Sequence, residues 1–161
     1  MSTLRVAVLS ISTSKSAGEG DDLASPALAD FVSSLNGVMI GSELIPDDRE
    51  LIAARLVHWA DSGEVNLILT SGGTGLAESD VTPEATRAVI DRDAPGIAEA
   101  MRLASQPHTK YWMMSRGVAG LRGGVLIINF PGNPKAIAQA GAPLVDTLAH
   151  AMALLLDPRQ H

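Results

Sequence analysis

Two apolar runs in this chain each stop at a loop of glycines or prolines, and each loop opens into a helical run. Val65–Leu69 leads into Thr70-Ser71-Gly72-Gly73-Thr74-Gly75, with Asp80-Val81-Thr82-Pro83-Glu84 close behind. Val125–Phe130 leads into Pro131-Gly132-Asn133-Pro134-Lys135, and a helical run starts at Ala136. Runs this apolar suit strands covered on both faces. Alternating strands and helices predict a three-layer α/β sandwich around a mostly parallel sheet. In such sheets the loops beyond the carboxyl ends of the strands form the ligand crevice.

Other segments fit that architecture. Val6-Ala7-Val8-Leu9 with Ile11 reads as a buried first strand, and Ser14 to Ser25 as a small, polar loop. Leu28, Phe31, Val32 and Leu35 share one face of a helix over 26–35, and Asn36-Gly37 ends it. Residues 38–45 read as a second strand. Residues 48–61 read as a helix with Ile52, Leu56 and Trp59 on one stripe. Further helices are predicted over 83–92, 95–104, 109–118 and 135–156, the last divided at Gly141-Ala142-Pro143. A chain of 161 residues suits one domain, 1–161, and can bury a sizeable core.

The two loops carry the candidate chemistry. Glycines allow positive φ and let a ligand approach backbone N–H groups. Thr82 suits an N-cap, Pro83 the first helical position and Glu84 the first turn. A loop that ends at a helix start can hold a phosphate or another anion, or can simply connect a strand to a helix. Asp80 beside it suits a metal ion, proton transfer, or acceptance of backbone N–H groups. Asp47 follows Pro46 at a strand end, where capping a helix is the alternative, and Asp48 could cap equally well. Two carboxylates in one crevice would suit Mg²⁺, which prefers carboxylates, waters and substrate phosphates. Lys135 and Arg116 are the candidates to meet phosphate charge, or are solvated cations. Ser71 and Thr74 can bond a phosphate or a pterin, or close their own loop.

Composition excludes several classes. Aromatic residues are 3% of the chain, too few for a single-strand nucleic-acid platform. The net charge of −6 comes with no basic stretch, so no nucleic-acid partner is expected. No run reaches membrane-spanning length, and no apolar leader precedes Val6, so a membrane is not expected as a partner. Cysteine is absent, which rules out thiolate metal sites and disulfides and is compatible with the cytoplasm. His58, His108, His150 and His161 have no metal-ligand spacing, and no Gly-x-Ser-x-Gly supports a hydrolase.

Thr70-Ser71-Gly72-Gly73-Thr74-Gly75 followed by Asp80-Val81-Thr82-Pro83-Glu84-Ala85 resembles a hallmark of the MogA/MoaB family of molybdenum-cofactor biosynthesis. Ser115-Arg116 followed by Asn129-Phe130-Pro131-Gly132-Asn133-Pro134-Lys135 resembles its second hallmark. Glu99-Ala100-Met101-Arg102 and Ile45-Pro46-Asp47 also fall where the family has similar residues. The resemblance covers Val6 to about Leu148. It implies the family's three-layer α/β fold, a homo-oligomer (commonly a trimer, in some members a hexamer) and a cytoplasmic protein. For the catalytic branch it implies adenylyl transfer from Mg·ATP to molybdopterin with release of pyrophosphate. Asp47 and Asp80 then match the two functional aspartates and the Mg²⁺ ligands. Ser71, Gly72, Gly73, Thr74, Gly75, Thr82, Ser115, Arg116, Pro131, Gly132, Asn133, Pro134 and Lys135 match the substrate-binding positions. Thr13, Ala24 and Ser79 depart from the family pattern on the nucleotide side. They leave a non-catalytic, MoaB-type molybdopterin-binding or assembly protein as the alternative. A third reading is a related pocket for another nucleotide or anionic metabolite.

Overall fold

The computed structural model describes residues 3–157 and Arg159; Met1, Ser2, Pro158, Gln160 and His161 fall outside it. The strands are β1 (Arg5–Ile11), β2 (Val38–Ile45), β3 (Leu67–Ser71), β4 (Arg92–Asp93), β5 (Ala119–Arg122) and β6 (Val125–Phe130). The helices are α1 (Thr13–Ser16), α2 (Ala24–Ser34), α3 (Arg49–Asp61), α4 (Thr82–Arg87), α5 (Pro95–Ser105), α6 (Pro134–Gly141) and α7 (Leu148–Leu156). One six-stranded sheet runs in the order β2-β1-β3-β6-β5-β4. Its first four strands are parallel, and β5 and β4 complete it antiparallel.

The strand period of two builds both cores. Val6 and Val8 face the side covered by Leu28, Phe31 and Val32 of α2 and by Ile137 of α6. Ala7, Leu9 and Ile11 face the other side, where Ile52 and Leu56 of α3 and Ala85 of α4 pack. Leu126, Ile128 and Phe130 alternate in the same way with Val125 and Ile127. Each fully buried Leu or Ile contributes roughly 1.5–3 kcal/mol, so a sheet covered on both faces is the main source of stability. No helix among the described residues is long and apolar enough to cross a membrane.

Several segments differ from the sequence reading. The third strand continues to Ser71, two residues past the apolar run, because Thr70 and Ser71 still pair with Asn129 and Phe130. The helix expected over 83–92 stops at Arg87, and Arg92–Asp93 pair with Leu121 and Gly120 as an edge strand. Residues 109–118 do not form a regular helix. They hold one 3₁₀ turn, Trp112–Met114, and then lead into β5. A tight Gly123-Gly124 turn pairs β5 with β6, Gly123 taking φ +56. The short α1 runs from Thr13 into the 14–25 loop, and α2 starts at Ala24, where Asp22 accepts the N–H groups of Ala24 and Ser25.

All four parallel strands end at one edge. The chain runs from β1 out to β2 on one side, then crosses back past β1 to β3 and on to β6 on the other. The loops after β1, β2, β3 and β6 therefore gather around a topological switch point.

Candidate functional site

The glycine loop is wedged between the ends of β1 and β6. Gly72 (φ +98) and Gly73 (φ +66) take consecutive left-handed conformations. A Cβ on Gly72 would run into the Ile11 carbonyl oxygen, and a Cβ on Gly132 would lie 3.4 Å from the Gly72 Cα. The Gly72 N–H donates to the Phe130 carbonyl at 3.1 Å. Ser71 is buried and donates through Oγ to the Pro131 carbonyl at 2.8 Å, tying the two loops together. Thr82 is not the N-cap; Val81 occupies that position without a side-chain bond. The Thr82 hydroxyl is buried and closes the loop on the Gly72 carbonyl at 2.9 Å, and its N–H donates to the Gly73 carbonyl at 3.1 Å. The N–H groups of Gly73, Thr74 and Gly75 donate to no acceptor among the described residues. Three successive open N–H groups, the first on the left-handed Gly73, are receptive to an anion.

Two carboxylates flank this loop. Asp48 caps α3, its Oδ1 accepting the Leu51 N–H at 3.0 Å, and Asp47 is left free of that task. Asp47 Oδ2 accepts the N–H and hydroxyl of Thr13, at 3.0 and 2.9 Å. Its Oδ1 lies 3.0 Å from where a Cβ on Gly73 would sit. Asp80 Oδ2 accepts the Ala77 N–H at 3.1 Å and lies 2.8 Å from where a Cβ on Gly75 would sit. The fold thus brings both sequence-derived aspartates against one short loop.

Arg116 does not face the crevice as a free cation. Its guanidinium donates to the Gly75 and Asp80 carbonyls and to both Glu84 carboxylate oxygens. The hydrogen bond from Arg116 holds the Glu84 carboxyl below its ordinary value, and Glu84 raises Arg116 in return. Asn133 caps α6, its Oδ1 accepting the Lys135 and Ala136 N–H groups at 2.9 and 3.4 Å. Lys135 is exposed next to it. Ser10, Ser12, Lys15, Ser71, Gly132 and Pro134 line a cavity of about 260 Å³ beside the loops. The sequence motifs do not single out Lys15; its position just after the first strand is the signal that marks it. Asp22 borders the same cavity. Burial opposes its ionisation, but hydrogen bonds from Ser25 and Ser10 outweigh this and hold its carboxyl below the ordinary value.

A second cavity, of about 110 Å³, lies on the other flank of the Pro131–Pro134 loop. Arg102, Tyr111, Trp112, Ser115, Asn129 and Pro131 are among its lining residues. Arg102 Nη1 donates to the Gly117 and Ser115 carbonyls at 2.8 and 3.4 Å, holding the wall that carries Ser115. Asn129 bonds Thr70 and Thr86 through Nδ2 and the Val118 N–H through Oδ1, so its amide is satisfied within the core.

A parallel sheet whose switch-point edge carries an open glycine loop between two carboxylates defines an α/β protein with an anion-receptive crevice. The chain belongs to the family described as "Probable molybdopterin binding domain", which its residues 7–150 match. It is 36% identical over 158 residues to a molybdopterin adenylyltransferase of Helicobacter pylori (strain J99), covering 97% of this chain and 90% of that one. It is 35% identical over 159 residues to the molybdenum cofactor synthesis protein cinnamon of Drosophila melanogaster, and there it spans only 26% of the longer protein. In three dimensions it is similar to the molybdopterin biosynthesis enzyme MoaB of Thermus thermophilus. The TM-score is 0.89 at 41% identity, over 95% of this chain and 96% of that one.

Proposed function

We propose that this protein is a single-domain molybdopterin adenylyltransferase of molybdenum cofactor biosynthesis, using ATP with Mg²⁺. The observation that carries this reading is the pair of carboxylates, Asp47 and Asp80, set on either side of a loop whose N–H groups are open to an anion. A terminal phosphate oxygen of molybdopterin attacks the α-phosphorus of ATP. The bond from that phosphorus to the bridging oxygen breaks, and pyrophosphate leaves with the electron pair. The attacking phosphate is already ionised at neutral pH, so no base is needed to activate it. The chain's task is therefore to position and to balance charge.

Gly73, Thr74 and Gly75 offer N–H groups to a phosphate, and the cavity beside Ser115 and Pro131 suits the pterin end. Lys15 and Lys135 stand ready to meet polyphosphate charge. Asp47 and Asp80 fit Mg²⁺: each keeps a carboxylate oxygen without a donor among the described residues, so neither carboxylate is spent inside the fold. Among those residues no group of three or more ligating side chains forms a cage. A site of one or two carboxylates, completed by waters and substrate phosphates, is the usual Mg²⁺ arrangement. When bound, the ion offsets charge on the polyphosphate and on the leaving pyrophosphate. The same reading makes the protein a cytoplasmic homo-oligomer, a trimer or a hexamer of two trimers.

One observation favours a second reading, a molybdopterin-binding protein without catalysis. Thr13 takes one oxygen of Asp47 with two hydrogen bonds. The deciding experiment is ATP-dependent pyrophosphate release with molybdopterin. Release supports adenylyl transfer. Molybdopterin binding with no release makes the protein the non-catalytic kind.

A further inference from the structure

We propose that Arg116 is a positioning residue that sets Asp80 by closing the 74–80 loop, and that it does not serve as a phosphate ligand. The loop is otherwise poorly held. Leu76, Ala77, Glu78 and Ser79 are exposed. Inside the loop, Ala77 and Asp80 bond each other twice: the Ala77 N–H donates to Asp80 Oδ2 and the Asp80 N–H to the Ala77 carbonyl. Among the described residues, every hydrogen bond from residues 74–80 to the rest of the molecule goes to Arg116. Its N–H donates to the Thr74 carbonyl at 2.8 Å. Its Nε donates to the Gly75 carbonyl at 2.7 Å and its Nη2 to the Asp80 carbonyl at 2.8 Å, so one side chain bridges both ends of the loop.

The guanidinium shape is required for this. Glu84 takes Nη1 and Nη2 in a forked pair at 2.8 and 3.1 Å, which fixes the plane of the group and balances its charge. Nε and the remaining Nη2 N–H then point at the two carbonyls. Four of the five guanidinium N–H groups are committed in this way, which leaves little for a ligand. A lysine ammonium is a point charge without a planar fork and cannot span the three partners. The neighbouring Ser115 lines the smaller cavity, and Arg102 holds the Ser115 and Gly117 carbonyls from the other side. The wall of that cavity and the support of Asp80 are therefore one stretch of chain.

The kinetic half of the test rests on the adenylyl-transfer reading; the exchange half does not. In ligand-free protein, Arg116→Lys is expected to speed amide hydrogen exchange at Ala77 and Asp80 at least tenfold, leaving the β3 amides unchanged. In turnover it is expected to lower kcat at least tenfold, with KM for ATP within threefold of the unmodified value. In an Asp80→Asn background the Arg116→Lys loss should largely vanish, because Arg116 acts through Asp80. Unchanged exchange overturns the proposal. So does a tenfold rise in KM for ATP at normal kcat, with losses that multiply in the double variant; that pattern belongs to a phosphate ligand. If the unmodified protein releases no pyrophosphate, the adenylyl-transfer reading fails, and exchange alone decides the role of Arg116. Should Arg116→Lys not fold, Glu84→Ala removes both fork bonds but leaves the two carbonyl bonds of the guanidinium, and is expected to give the same shifts in smaller measure; no shift overturns the proposal.

Discussion

Asp47 and Asp80 reach the glycine loop by different local devices, and each device predicts a different sensitivity. Asp47 is held by its reciprocal bonds with Thr13, whereas Asp80 closes a turn on Ala77. Asn keeps the shape of Asp and removes its charge, so Asp80→Asn should fold nearly normally. If the carboxylate acts in the transition state, turnover should fall on the order of 100-fold, roughly 3 kcal/mol, with pterin affinity little changed. Asp47→Asn should behave alike, and the double variant should lose less than the product of the two losses. Near-normal kcat in Asp80→Asn would remove it from the mechanism. Glycine variants separate loop shape from folding. A Cβ on Gly75 meets the Asp80 carboxylate, the end of a side chain, so Gly75→Ala should leave the thermal midpoint within a few degrees and still lower kcat. Gly72→Ala drives a Cβ into the Ile11 carbonyl at φ +98 and should cost about 3 kcal/mol or more of stability. A Gly75→Ala variant with full turnover would mean that the Asp80 carboxylate needs no fixed position.

Helices and strands explain which residues the sequence could announce. The parallel strands β1, β3 and β6 were legible because they are apolar on both faces, as Val6, Leu9, Leu67 and Ile127 show, and β2 by its looser alternation. The antiparallel edge was not, since β4 has two exposed residues and β5 carries no apolar run. The capping alternative for Asp47 could be removed only with α3 in view, where Asp48 takes the Leu51 N–H. The role of Arg116 was unreadable because its carbonyl partners lie 36 and 41 residues away and carry no side-chain signature. Edge strand β2 shows the same reach between elements: Glu43 accepts bonds from Arg55 and Trp59 of α3. Burial alone would raise the Glu43 carboxyl, but these bonds outweigh it and hold it below its ordinary 4.5. A carboxylate depressed on folding contributes stability above its unfolded value and loses it as pH falls through the folded one. Thermal melts should therefore show Glu43→Gln less stable than the unmodified protein at pH 7, with the gap shrinking below pH 4.5. A gap that stays constant down to acid would place the stabilisation elsewhere, in packing of the Trp59 ring over Gly41.

At the scale of the whole molecule, α7 leaves an apolar face uncovered among the described residues, and that face lies away from the loops of the site. In α7 only Leu148 and Met152 are buried, while Ala149, Ala151, Ala153, Leu154, Leu155 and Leu156 stay partly or fully open. A groove of about 480 Å³ runs beside this helix, lined by Ile97, Leu121, Leu126, Ala151, Leu154 and Leu155. A helix that is apolar nearly all round needs a second partner, and a second copy of the chain offers an equally apolar surface. Light scattering is expected to give a mass about three times the 16.7 kDa chain, or six times if trimers pair. Leu154→Glu places a charge in the groove and should shift the mass to that of the single chain without unfolding it. The groove shares no lining residue with either cavity at the loops. The dissociated variant should therefore keep its affinity for molybdopterin, read as an unchanged ligand-induced rise in thermal midpoint. A stable monomer of the unmodified protein at micromolar concentration would refute the assembly. A dissociated variant that no longer binds would instead mean that a neighbouring copy completes the crevice.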